Sequence, residues 1–143
     1  MKVEQISIFI ENKSGRLAEV SGVLGKAGVN IRALSLADTS DFGILRLIVD
    51  DTDTSLQVLR EKNFTVSKTE VIGVEVPDTP GGISTILQVL DDNDVNVEYM
   101  YAFANPQCKN AIMIFRFDDY KKAIELLDKY NIKVIGPEEI AKL

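Results

Sequence analysis

Histidine is absent from this chain. A serine or cysteine nucleophile would have no imidazole to activate it, and a His-ligated metal centre is excluded. Cysteine occurs once, at Cys108, so no internal disulfide can form, and a reducing cytoplasm is the expected address. Cations are few: 16 Lys and Arg against 22 Asp and Glu, a net charge of −6. That balance disfavours a nucleic-acid partner or an anionic membrane surface, both of which need clustered Lys and Arg. No apolar run reaches the length of about 18 residues that a membrane helix requires, and no basic start followed by an apolar run marks an export signal. Walker, Rossmann and G-x-S-x-G patterns are missing as well. The chain is therefore expected to be no enzyme, with no catalytic residues, no cofactor and no metal.

What the chain does have, it has twice. Glu11 to Leu36 reads ENKSGRLAEVSGVLGKAGVNIRALSL, and Pro77 to Ala102 reads PDTPGGISTILQVLDDNDVNVEYMYA. At an offset of 66, Gly15 meets Gly81, Val23 meets Val89, Leu24 meets Leu90 and Asn30 meets Asn96. Beyond a two-residue expansion the offset is 68: Ile44 meets Ile112, Asp50-Asp51 meets Asp118-Asp119, and Asn63 meets Asn131. A period this long is a small domain rather than a solenoid unit. The expected division is 1–69 and 70–143. Modules of this size lie near the lower limit of independent stability and gain from packing together. Around Lys68–Glu70 there is no Pro/Gly/Ser-rich linker to hold them apart.

Periodicity sets the elements of each copy. Ile6, Ile8 and Ile10 alternate with polar residues as in a strand with one buried face, and Leu17, Val20, Leu24 and Ala27 form the stripe of a helix from Arg16 to Ala27 that Gly28 ends. Strands Ile31–Ala37 and Gly43–Val49, a helix over Thr54–Lys62 and a closing strand Phe64–Lys68 follow. The second copy repeats the order with strand Val71–Val76, helix Ile83–Asp92, strands Val95–Phe103 and Ala111–Phe117, helix Tyr120–Tyr130 and strand Lys133–Ile135. The fold class is α+β: two tandem ferredoxin-like βαββαβ units, each an antiparallel sheet with helices on one face.

In both copies a strand runs into a short polar turn with glycine and then a helix. The first N–H groups of a helix lack internal partners and sit at the positive end of its dipole, a setting that suits a carboxylate or phosphate. Glycines at 15, 81 and 82 admit a ligand to the backbone. Asn30 and Asn96 open the next strand, and the fold is expected to bring that strand end close to the first loop.

The sequences E-N-K-S-G-R-L followed by G-V-N-I, and P-D-T-P-G-G-I followed by D-V-N-V, resemble the ACT domain, a regulatory module of amino-acid metabolism. The resemblance covers essentially the whole chain as two tandem ACT domains with no catalytic domain. It implies that a free amino acid binds at an interface between ACT units, gripped by the polar residue of the first loop and the asparagine before the second strand. Those positions are Asn12 and Asn30 in one copy, Asp78 and Asn96 in the other. The loop residues Lys13, Ser14, Gly15, Arg16 and Leu17, and Thr79, Pro80, Gly81, Gly82 and Ile83, complete the implied ligand-binding set. A homodimer, which would cover the free sheet edges and the Tyr- and Met-rich strand, is expected, and a metabolic enzyme is a further expected partner. An alternative within the same reading is a regulatory subunit acting mainly through contact with such an enzyme, for which an exposed apolar face on strand Val95–Phe103 would argue.

Two departures from the family pattern make the sites unequal. Ser14 stands where proline is usual, and Gly82 replaces a larger side chain and is expected to widen the second pocket. Asp78 accepts only, so it favours an ammonium group, whereas Asn12 can take either role. Several residues keep a plainer reading beside this one. Gly15 and Gly81 also suit a tight turn, Asn30 and Asn96 also suit strand entry, and Arg16 either meets a ligand carboxylate or is a solvated surface residue. Tyr99, Met100, Tyr101 and Phe103 read first as core and interface. The stretch from Asp91 to Asn96 lacks the glycine and glutamate of a calcium loop and reads as a solvated helix end.

Overall fold

A computed structural model of the chain describes residues 2–38, 40–104 and 109–142. Cys108 and most of the turn containing it lie outside the described residues. The chain divides into two compact units, Glu4–Thr69 (the N-terminal unit) and Glu70–Leu143 with Met1–Val3 (the C-terminal unit).

The N-terminal unit comprises β1 (Val3–Glu11), α1 (Arg16–Lys26), β2 (Ile31–Asp38), β3 (Phe42–Val49), α2 (Thr52–Glu61) and the start of β4 (Thr65–Pro77), in the strand order β2-β3-β1-β4. The C-terminal unit takes the remainder of β4, then α3 (Gly82–Asp92), β5 (Val97–Ala104), β6 (Asn110–Phe117), α4 (Tyr120–Lys129), β7 (Val134–Ile135) and α5 (Pro137–Ala141). Its strands run β5-β6-β4, with β7 on the other side of β4. Each unit is thus βαββαβ with an antiparallel sheet, as the periodicity implies.

Two differences from the expected elements have local causes. The closing strand of the first copy and the opening strand of the second are one strand, β4, because TVSKTEVIGVEV holds nothing that breaks an extended run before Pro77. The short helix α5 was not expected. Pro137 stands in its first turn, where a missing N–H costs nothing, Glu138 and Glu139 follow, and Ile140 is buried.

Apolar residues on alternate strand positions and at three- and four-residue helix steps converge into one core per unit. Ile6, Ile8, Ile10, Val20, Leu24 and Val29 form the first with Leu45, Leu47, Leu56 and Leu59. Ile72, Val74, Val76, Ile86, Leu90 and Val95 form the second with Met113, Phe115, Phe117, Ala123, Leu126 and Leu127. The first six of each set correspond one to one at the offset of 66.

The duplicated Asp-Asp pair has a structural task. Asp50 accepts from the Asn30 backbone N–H at 2.9 Å and returns its own N–H to the Asn30 carbonyl at 3.1 Å. Asp118 and Asn96 repeat this at 3.0 and 3.1 Å. The second aspartate of each pair caps the following helix: Asp51 accepts from Thr54 N at 3.0 Å and Asp119 from Lys122 N at 3.1 Å.

Candidate functional site

The glycine loops differ from the starts of α2 and α4, and from that of α5, which also lacks a side-chain cap but leaves Gly136 in extended backbone. α1 opens from Gly15 at φ 92° and α3 from Gly81 at φ 86°, both left-handed, and neither has a side-chain cap. Nothing lies within 4 Å of where a Cβ would stand at either glycine, so it is the backbone angle, not crowding, that demands glycine there. The turn alone therefore accounts for these two residues. No side chain caps α1 or α3, and the first N–H of each turns back onto its own loop, Gly82 N donating to Thr79 O at 3.0 Å and Arg16 N to Lys13 O at 3.5 Å, whereas α2 and α4 are capped by carboxylates.

The asparagines are not beside these loops. In the N-terminal unit Glu11 pairs with Phe42 and Asn12 N donates to Asp41 O at 2.9 Å, at one end of the sheet. Asn30 precedes Ile31, which pairs with Val49 at the opposite end, a strand length or roughly 25 Å away. The C-terminal unit repeats the separation. Pro77 pairs with Asn110 and Asp78 N donates to Lys109 O at 3.3 Å, while Val97, just after Asn96, pairs with Phe117. The expected closeness of loop and strand entry within one unit is thus corrected: the intervening helix carries the chain back along the sheet before the next strand begins.

What the structure brings together is different. A small pocket of 60 Å³ gathers Asn12, Lys13, Arg16 and Leu17 with Leu36, Asp38 and Gly43. Arg16 is no free cation: it pairs with Glu11 at 2.9 Å and Glu19 at 3.0 Å and stands 6.0 Å from the Phe64 ring centre. The Arg16 and then the Lys13 partners hold the Glu11 carboxyl below its ordinary pKa. Ser14 and Gly15 line the outer turn, and Ile83 projects half-exposed from the start of α3.

In the C-terminal unit a cleft of 590 Å³ opens beside the loop, within the range of small-molecule sites. Thr79, Pro80, Gly81, Gly82 and Thr85 form one wall; Glu75, Asn110 and Lys133 face them. Asp78 and Asn96 are not among its lining residues. Asn110 Nδ2 donates to Glu75 Oε1 at 2.8 Å, and Lys133 Nζ pairs with Glu75 Oε2 at 3.2 Å and with Glu139 at 3.3 Å. The Asn110 amide first, then Lys133, hold the Glu75 carboxyl below the usual carboxylate range; Glu75 and then Glu139 raise Lys133. Both charges therefore persist at neutral pH. Gly82 does not widen this cleft as expected: a Cβ there would collide with the Pro77 carbonyl oxygen, so the backbone itself occupies that space.

The same place in the N-terminal unit is a cleft of 360 Å³ lined by Phe9, Glu11, Arg16, Phe42, Lys62, Asn63, Phe64 and Thr65. Phe9 and Phe42 stack at 5.2 Å where the other copy has Glu75 and Asn110. Glu75, Asn110 and Lys133 fall where the two copies differ, opposite Phe9, Phe42 and Thr65, so the repeat itself does not mark them. The signal was in positions where they differ.

Strand β5 does not present the exposed apolar face that an enzyme-docking role there would need. Met100 packs against the core, and Tyr99, Tyr101 and Phe103 are half-buried. Among the described residues no helix is long and apolar enough to cross a membrane, and no cluster of three or more metal-ligating acidic or cysteine side chains occurs.

Comparison with known proteins agrees with this architecture. Protein BT0572 from Bacteroides thetaiotaomicron is 40% identical and superposes with a TM-score of 0.93 over 100% of this chain and 98% of its own. The regulatory subunit of aspartate kinase from Thermus thermophilus shares the fold at 15% identity, with a TM-score of 0.63 over 88% of this chain and 90% of its own. The acetolactate synthase small subunit of Buchnera aphidicola is 37% identical over 49 residues, which cover 34% of this chain and 31% of that protein. The chain spans 24% and 31% of the lengths of the curated relatives it matches. A family model for the ACT domain pair matches residues 1–143. With two βαββαβ units, each entered through an uncapped glycine loop, the chain belongs to the ACT domain pair family.

Proposed function

We propose that this chain is a non-catalytic regulatory protein of amino-acid metabolism that binds a free amino acid at its glycine loops. The contrast between helix starts carries the reading: α2 and α4 are closed by Asp51 and Asp119, while behind their glycines α1 and α3 have no side-chain cap and keep N–H groups beyond the first for a ligand. Open N–H groups at a helix start favour a carboxylate, and Asp78 beside the second loop favours the ammonium of the same ligand. The likeness to proteins named as regulatory subunits supports the class of role.

Asn30 and Asn96 stand a strand length from the loops of their own units. A ligand held by both an asparagine and a glycine loop would take the two from different ACT units, and a homodimer accompanies this reading. Light scattering giving a monomer of about 16 kDa with and without ligand, at all concentrations, would remove it.

A thermal-shift screen of the twenty amino acids tests the function directly. A true ligand at a hundred times its dissociation constant adds about 2.7 kcal/mol of stability. Replacing Asp78 by Ala should then weaken binding by roughly 1.5–3 kcal/mol, a charge-assisted bond, and replacing Asn12 by Ala by about 1 kcal/mol. Absence of any shift, or binding of a nucleotide or sugar instead, would reject the proposal.

A second reading, regulation chiefly through contact with an enzyme, is favoured by Leu34 and Leu36, which are 58% and 47% exposed on β2. It would prevail if no amino acid bound while a purified amino-acid-biosynthetic enzyme did, and if Leu34→Glu abolished that contact.

A further inference from the structure

The geometry points to the cleft beside Glu75, Asn110 and Lys133 as the place where the C-terminal unit takes a small zwitterion, its ammonium on Glu75 and its carboxylate on Lys133 and the first turn of α3, which no side chain caps. The inference rests on the amino-acid reading above but moves the ammonium from Asp78 to Glu75, at a site that neither Asp78 nor Asn96 lines, so that Asp78→Ala should leave binding there unchanged.

The chemistry of the walls argues for this ligand class. A carboxylate and an ammonium, both charged at neutral pH, stand 3.2 Å apart at one side of a 590 Å³ cleft. A ligand carrying both signs can meet both groups without leaving either desolvated and alone. The Thr85 hydroxyl donates to the Gly81 carbonyl at 3.2 Å, the usual bond of a helical threonine to the turn before it. Pro80 and Ile132 offer apolar surface to a side chain.

The duplication supplies an internal control. The other unit builds the same strands with Phe9, Phe42 and Thr65 at these positions. The fold therefore does not require the polar trio. The competing role for Lys133 is to pin α5 through Glu139. That pair is exposed by 59% and 50%, and exposed pairs contribute little to stability. The Asn110–Glu75 bond has no part in it.

Calorimetry on the full chain decides, with the standard amino acids titrated singly and with acetate and methylammonium as the two halves of a zwitterion. For the amino acid that binds best, Lys133→Met and Glu75→Gln should each weaken binding about ten- to a hundredfold. Glu139→Gln should leave it unchanged, and either half alone should bind more weakly than the whole. If Glu75→Gln fails to fold, Asn110→Leu takes its place, with the same loss expected. Unchanged affinity in Lys133→Met and Glu75→Gln, with loss confined to Asp78→Ala, would overturn this site and leave the proposed function standing. An equal loss in Glu139→Gln would overturn it too, by routing the effect through α5. Failure of every amino acid to bind would reject both.

Discussion

Leu24 and Leu90 occupy the same place in the two units, at the centre of a helix facing a sheet, and both are almost wholly buried. Phe42 and Asn110 also occupy the same place, yet one stacks on Phe9 and the other donates to Glu75. The difference shows which constraints the duplicated fold imposes. A helix lying on an antiparallel sheet leaves a space that only apolar side chains of suitable volume fill, so both copies keep them. The rim of the cleft bears on solvent, where substitutions are nearly free energetically, so the copies could part there and acquire separate chemistry.

Breaking the cores should show the symmetry most strongly. Leu24→Ala and Leu90→Ala should each cost about 2–5 kcal/mol by urea unfolding, and a value under 1 kcal/mol for either would end the claim that the cores are equivalent. The glycine turns come next. Gly15→Ala and Gly81→Ala each force a Cβ into a left-handed backbone that has open space around it, so the cost is conformational, about 1–2 kcal/mol in both. A markedly larger loss at one site would mean that the loops are not matched.

Removing the Asp119 cap by Ala should cost about 1 kcal/mol, since the helix would lose the acceptor for Lys122 N. No loss would show that α4 does not depend on it. The smallest effect lies in the rim, in acid. Glu75 has its folded pKa depressed, so the stability it contributes is present above the ordinary carboxylate pKa and fades as pH falls through the folded value. Unfolding curves of the native chain and Glu75→Gln should therefore draw together as pH falls below the carboxylate range. A constant gap would mean that Glu75 titrates alike in both states. The matched Phe9 cannot titrate, so Phe9→Gln should leave the pH profile as it was.

Much of this was legible in the chain. The alternation of Ile6, Ile8 and Ile10 and the stripe of Val20 and Leu24 specify a strand and a helix through side-chain period alone, and both lie where expected. Less legible was β4, since continuity from Thr65 to Pro77 depends on partners on each side of it rather than on residues within it. α5 is five residues long, too short for periodicity, although Pro137 with Glu138 and Glu139 carried the signature of a helix start.

The candidate site divides along the same line. Two uncapped glycine turns were readable as a motif, because a positive φ leaves glycine as the favoured residue whatever surrounds it. The distance between Asn12 and Asn30 was not, because the 17 residues of helix and turn between them can end at either end of a sheet until the strands pair. The sequence by itself determined two βαββαβ units, their buried stripes and the polar loops between strand and helix, all of which follow from local angles and side-chain period. Only the tertiary structure decided that Glu75, Asn110 and Lys133 share one cleft: they come from three strands or strand entries up to 58 positions apart, and long-range pairing, which no local pattern encodes, is what sets them side by side.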